Sequence, residues 1–450
     1  MDWITERLGQ VFSHSRWIIL NGVSANTQLL IDQLREWGGS EFLVVAGEEG
    51  VGTQPDVEKV FMPSPPGTVM EGFRRFAAKV SEPPPNVRRA VDRFDPDGTA
   101  RVLGPVFAAP DYFLGRRLYG TRPLAWEGLE DKTAADAIWD QAEVARAPSE
   151  VIRLDDATEA TARLAGSSGA VWAADNTDGW HGGGEMTRWV SGPEMAATVI
   201  SDWRDRVRRV RVMPFLDGVP CSIHGVVTSD GVAALRPVEL LILRRTDRTG
   251  FVYAGVANTW DPPASIREDM RDAARRVGEI LRRQTGHRGP FSIDGVVTAD
   301  GFRPTELNPR FSVGYGIQAG AVPELKGGFF VRALVEGDID VPAMELEDRI
   351  VTAADAQRAV RLGVPVEGVH EPQSTHLLVD DAGNLSEDPD GDLLEIGPSP
   401  SGSFLFWAVD PTEIEPGSRF APLATEVIRF ARQRWGIPIP ECEPAPDVTV

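Results

Sequence analysis

One stretch constrains this chain more than any other: Phe291 to Gly316, FSIDGVVTADGFRPTELNPRFSVGYG. Its pattern predicts a β-hairpin, with FSIDGVVT as one strand, Asp300-Gly301 as a type I′ turn signal and FRPTELN as the returning strand. Asp294 lies on the first strand. Glu306 and Asn308 stand two apart on the second, and a side-chain period of two puts them on one face. Hard oxygen donors gathered this way suit Mg²⁺, which takes one or two carboxylates together with phosphate oxygens. Pro309 ends the strand and Arg310 projects just beyond the three candidate ligands. Gly314 and Gly316 follow in a loop that could approach a ligand closely.

This hairpin resembles the metal-binding hairpin of ATP-grasp ligases, the superfamily that includes biotin carboxylase and D-alanine–D-alanine ligase. Their pattern is an acid on one strand and Glu-x-Asn on the next, often followed by x-Arg. Asp294, Glu306, Asn308 and Arg310 match it in type and spacing. The resemblance covers residues 126–322, and the N-terminal region more loosely. It implies an α/β (α+β) chain with the ATP-grasp fold in three parts. A Rossmann-like N-terminal domain would span 1–125. The ATP-grasp domain would span 126–330, with a lid subdomain at about 150–210. A C-terminal domain specific to a subfamily would span 331–450.

The resemblance also implies a chemistry. ATP would bind between two subdomains with Mg²⁺ on Asp294, Glu306 and Asn308. A carboxylate would attack the γ-phosphate to give an acyl phosphate, and an amine would displace phosphate. Arg310, with Arg244 or Arg245, would hold carboxylate or phosphate through paired N–H groups. Lys132 resembles the first lysine of the family, which reaches the α/β-phosphates. Gly182, Gly183 and Gly184, in NTDGWHGGGEMTRWV, resemble the glycine-rich lid. VRVMPFL resembles the hinge along adenine, so Met213 and Leu216 would pair with the base edge, Phe215 would pack nearby and Asp217 would sit near the ribose. The family's second lysine has no counterpart: its position falls at Ala174, so either Arg188, His181 or another group would supply the charge, or phosphate would be held more weakly. Two other readings stay open, a nucleotide-binding protein without catalysis and a kinase that phosphorylates without condensation.

Composition narrows the partners. A net charge of −21 argues against nucleic acid or an anionic membrane as the main partner. The expected partners are small carboxylate and amine substrates, and a homodimer is one assembly the chain could form. Lysine is confined to Lys59, Lys79, Lys132 and Lys326. Cys221 and Cys442 have no metal or redox spacing, which suits a reducing cytoplasm. The N-terminus lacks a signal peptide's basic start and apolar core, and no stretch reads as a membrane span.

Elsewhere the patterning is ordinary. WIIL and FLVVAG read as strands around a helix over TQLLIDQLREWG, with an apolar face of Leu29, Leu30, Leu34 and Trp37 and Gly38 as its cap. NGVSAN reads as the intervening turn. LEDKTAADAIWDQA predicts a helix with Lys132 in its first turn. Ser265 to Arg283 predicts a helix opened by a Ser265/Glu268 capping box, with Ile266, Met270, Ala273, Ala274, Val277 and Leu281 as its buried face. Further on, Gly327–Glu336, Ala353–Arg361 and Leu423–Trp435 read as helices, STHLLVDDAGNL as a hairpin and FLFWAVD as a strand. GPSPSGS reads as a linker and the tail after Gly436 as frayed.

Overall fold

The computed structural model describes every residue except 1–2, 26, 66, 68, 106–108, 178–180, 381–382, 400–401, 411–414 and 449–450. After helix α1 (Trp3–Phe12) come β1 (Arg16–Val23), α2 (Thr27–Glu36), β2 (Glu41–Glu48), β3 (Glu58–Phe61), α3 (Val69–Ser81), α4 (Pro85–Phe94), β4 (Arg101–Leu103), β5 (Tyr112–Phe113) and β6 (Arg116–Tyr119). These strands form a six-stranded sheet in the order β3-β2-β1-β4-β6-β5, parallel except at β5. β1 and β2 are continuous apolar runs, as strands covered on both faces must be. Asn21 and Gly22 belong to β1, so the turn begins only at Ser24. The buried face of α2 is Thr27, Ile31 and Leu34, whereas Leu29 is 72% exposed. Its expected place on the apolar face is corrected by the helix's actual phase.

A second, four-stranded sheet is built from β7 (Glu150–Arg153), β8 (Ala170–Ala174), β9 (Thr187–Val190) and β10 (Arg209–Pro214), in the order β7-β10-β8-β9. The short α5 (Ala135–Gln141) precedes it, and α6 (Ala157–Leu164) and α7 (Pro193–Trp203) cover one face. Lys132 sits in the turn before α5, not in its first helical turn.

The third sheet starts with β11 (Val219–Val227), β12 (Val232–Ala234), β13 (Val238–Arg245), β14 (Phe251–Ala257), β15 (Gly289–Thr298) and β16 (Gly301–Asn308). α8 (Ala264–Thr285) packs across it through the six residues expected from its periodicity. No side chain caps α8: it begins after Pro263, and Glu268 pairs instead with Arg271 and Arg275.

Beyond α9 (Val313–Ala319), α10 (Phe329–Glu336) and α11 (Ala343–Ala356), the chain adds β17 (Val360–Glu367), β18 (Gln373–Val379), β19 (Leu385–Glu387), β20 (Asp392–Ser399) and β21 (Gly402–Trp407) to the same sheet. The join is β14 against β17. α9, α10 and α11 share one core with α1 and α2, including Phe12, Tyr315, Phe329 and Leu346. Three expectations are revised here. The helix expected to Arg361 stops at Ala356, since Val360 already pairs with Ala257. The supposed linker is a tight β20–β21 hairpin, of which residues 400–401 lie outside the described set. After α12 (Ala421–Trp435), the tail is held by β22 (Cys442–Glu443), paired with β13, and by buried Ile437, Ile439 and Ala445. Among the described residues, no helix is long and apolar enough to cross a membrane.

Candidate active site

The expected hairpin is β15 and β16. Its turn is not type I′. The central residues Ala299 and Asp300 both keep negative φ, and Gly301 takes φ +101° at the start of the returning strand. Asp294 stands directly opposite Glu306, and Ser292 opposite Asn308, so all four share one face. Thr305 is an extra residue, because Asp294 pairs with Glu306 while Gly295 pairs with Pro304. This bulge interrupts the ladder beside the acids, a usual place for such irregularities. Pro304 is tolerated because β16 is the edge strand of the sheet.

The acids sit in a tight network. Asp294 accepts hydrogen bonds from Ser222 Oγ at 2.7 Å and Asn308 Nδ2 at 3.0 Å. Burial, reinforced by the Glu306 charge, holds its carboxyl above the usual carboxylate range. Glu306 pairs with buried Lys132, Oε1 to Nζ 3.0 Å, and the same Nζ donates to the His181 carbonyl at 3.4 Å. Arg310 donates from Nη2 to Asn308 Oδ1 at 2.9 Å and from Nε to Glu130 Oε2 at 3.0 Å. Glu130 is fully buried and also pairs with Arg122. Sequence reasoning missed it, since nothing in LEDK separates a buried glutamate from a solvated one.

A cavity of about 530 Å³ brings most of the expected residues together: Lys132, Gly183, Gly184, Met213, Phe215, Leu216, Arg244, Asp294, Glu306, Asn308 and Arg310 all line it. Its hinge end is apolar. Phe215 stacks on Trp189 with centroids 4.3 Å apart, and Phe251 continues the stack. Phe73 reaches the cavity from α3 of the N-terminal sheet. Tyr253, which the sequence did not single out, lines the wall near Asp294 and Arg310.

Other expected residues stand elsewhere. Gly182 is buried outside the lining, while Gly183 and Gly184 take φ +59° and +78°, a conformation that suits glycine. Residues 178–180 of the lid stretch lie outside the described set. Asp217 is off the lining and pairs with Arg244 at 3.1 Å. Arg244 itself lies over the Phe215 ring at 4.8 Å, which puts it at the hinge end rather than beside the acids. Arg245 turns away to Asp247 at 2.6 Å.

The missing lysine also moves. Trp172 and Ala174 face the lid core with Trp203, whereas Val171 and Ala173 face the cavity. The cavity-facing alanine near the end of β8 is therefore Ala173. Arg188 shares the far face, its guanidinium over the Trp203 ring at 5.6 Å. His181 is fully buried against Glu185 and does not line the cavity. Neither supplies the charge expected of it. Arg211, the cross-strand neighbour of Ala173, is buried and pairs with Asp136 at 2.7 Å.

Among the described residues, no group of three His, Cys, Asp or Glu side chains could hold a metal. The candidate set is two carboxylates and an amide.

No protein-family model and no curated protein matches the chain. Among solved structures it is similar to an N5-carboxyaminoimidazole synthase from Aspergillus clavatus in complex with ADP and 5-aminoimidazole ribonucleotide. That likeness has a TM-score of 0.50 at 12% identity and covers 93% of this chain and 100% of the other. It is also similar to the pyruvate carboxylase of Rhizobium etli, at TM-score 0.51 and 14% identity, over 95% of this chain and 38% of that one. At such identities the likeness speaks for the fold, and the fold is ATP-grasp.

Proposed function

We propose that this chain is an ATP- and Mg²⁺-dependent carboxylate–amine ligase working through an acyl phosphate. The observation that carries the reading is the Asp294–Glu306 row, placed in one cavity with Lys132, the lid glycines and an apolar hinge. The donor set fits a hard divalent cation. Two carboxylates face each other in partial burial, and the raised Asp294 carboxyl marks a place where added positive charge is favourable. Asp294, Glu306 and Asn308 would hold Mg²⁺, whose chemistry there is charge neutralisation at phosphate oxygens.

The chain's own part is positioning. Hinge backbone groups of Met213 and Leu216 would meet the edge of a base packed on Phe215, whose own N–H is taken by the Gly169 carbonyl. Lys132 brings an ammonium to the acid end. Arg310, anchored on Glu130 and Asn308, presents a planar fork to a carboxylate or to the phosphoryl group it receives. Transfer of a phosphoryl group asks for little more than such placement and charge balance. Small carboxylate and amine substrates, a cytoplasmic setting and the division at 125 and 330 belong to this reading.

A second reading, a nucleotide-binding protein without catalysis, is favoured by one observation: no lysine on β8 faces the cavity. Calorimetry with ATP and Mg²⁺ should show binding, and Glu306→Gln should abolish ADP formation while the thermal transition is kept. Absence of nucleotide binding would end the ligase reading. Binding without ADP release would select the second one, and ADP release that needs no amine would select a kinase.

A further inference from the structure

Strand register orders the cavity face. Gly218, just before β11, and Pro220, Ser222 and His224 along it follow one another away from the hinge, and all line the cavity. Ser222 is opposite Asp294, which is opposite Glu306; two residues on, His224 is opposite Ser292, which is opposite Asn308. Two strand residues advance by about 7 Å. The His224–Ser292 row therefore lies one step beyond the acids, on the side away from the base-binding hinge.

The wall of that end beside His224 is made of uncharged residues. His224 is 2% exposed, and its Nδ1 has no hydrogen-bond partner among the described residues. The ring is clamped by Gly314, where a Cβ would stand 2.4 Å from Cε1. Burial pushes the imidazole down to about 3, so it is neutral at physiological pH and offers one donor and one acceptor. Phe311, Ser312 and Gly314 complete the wall. Arg310 is the cation bordering it, while Asp294 and Glu306 belong to the row before.

We propose that this end takes the uncharged body of the carboxylate substrate, with His224 as the specificity-determining residue that reads a neutral hydrogen-bonding group and disfavours a charged one. The inference rests on the ligase reading. That reading places the nucleotide at the hinge, and so leaves this end, with Arg310 at its border, to the carboxylate. A second carboxylate or an ammonium lodged at His224 itself would face a neutral imidazole and the uncharged Phe311, Ser312 and Gly314, and would lose its hydration without a paired charge.

The test uses the full chain loaded with Mg–ADP and three probes of equal length: 6-hydroxyhexanoate, hexanedioate and 6-aminohexanoate. Calorimetry should find the hydroxy acid bound at least about tenfold more tightly than either charged probe. His224→Gln should keep that order, and His224→Asp should shift it toward 6-aminohexanoate. A charged probe binding as well as the hydroxy acid, no probe binding at all, or an unchanged order in His224→Asp would overturn the proposal. A parallel loss of Mg–ADP affinity in His224→Asp would also overturn it, by placing the residue on the nucleotide. If either variant fails to fold, the wild-type order alone decides. Failure of Mg–ADP to bind would remove the ligase reading and this inference together; binding with the wrong order removes the inference alone.

Discussion

Ala173 and Ala174 are adjacent alanines whose lysine variants should behave in opposite ways. Ala174 is fully buried in the lid core with Trp172 and Trp203. A lysine there reaches no acid among the core side chains and must shed its proton. Neutralising a group of ordinary pKa near 10.4 at pH 7 costs about 4–5 kcal/mol. Forcing the extra atoms into a packed core adds about 1–3 kcal/mol. The sum approaches the whole stability of an ordinary domain, about 5–15 kcal/mol. Ala173 instead opens on the cavity, and its neighbour Arg211 is already paired with Asp136. Ala173→Lys should lose less than about 2 kcal/mol, a typical single-substitution effect. The added ammonium should tighten Mg–ATP several-fold. Urea unfolding followed by tryptophan fluorescence reports directly, because Trp172 and Trp203 belong to the affected core. Equal midpoints for the two variants, or an Ala174→Lys protein within about 1 kcal/mol of wild type, would refute the assignment of faces.

Arg310→Lys should leave Mg–ATP affinity within a few-fold but lower ligation about 10²-fold, since a lysine cannot span Glu130 and Asn308 at once; equal losses in binding and turnover would put Arg310 on the nucleotide. Gly314→Ala should destabilise the fold by about 1–3 kcal/mol, because its methyl would meet the His224 ring; a stabilised variant in denaturant melts would show that the ring gives way freely. Acid should weaken the fold through His287, which burial pushes down to about 4. Between about pH 6.5 and 4 the unfolded chain binds a proton that the native chain refuses, so stability falls as pH drops, by about 3 kcal/mol from this one group. His287→Gln should make the urea midpoint fall less steeply over that window, part of the slope remaining from buried His224, and an unaltered slope would contradict the mechanism.

The pairing within the hairpin was not legible, since the loop centres on Ala299 and Asp300 and the extra Thr305 is what brings Glu306 opposite Asp294; its two strands and the shared face of Glu306 and Asn308 were, because alternation is a local signal. The buried face of α8 was legible for the same reason, as six apolar residues at helical spacing leave little choice. Signals that depend on neighbours were not. Two consecutive alanines carry no alternation, so which of them faces the cavity follows only from the helices packed behind β8. Arg188, Arg244 and Arg245 are alike in sequence, and aromatic or acidic partners from other elements send them to three different places. Glu130 gained its role from Arg122 and Arg310, the latter 180 residues away along the chain. Polar end groups misled as well: Ser265 and Glu268 have the spacing of a cap, yet Pro263 already fixes where α8 starts.

The pairing of β14 with β17 bears on how a protein like this can be divided. A region attached through a linker can be cut away, exchanged or lost with little consequence for the rest. Here the C-terminal strands are sewn to the edge of the sheet that carries the acids, and β22 returns to pair with β13. Removing them would bare the backbone donors and acceptors of β14, an invitation to edge-to-edge association. It would also strip the apolar partners from Leu241, Leu243 and Ala254. The sheet that carries the acids and its C-terminal strands thus stand or fall together, and a cut at the β14–β17 seam would cost both halves.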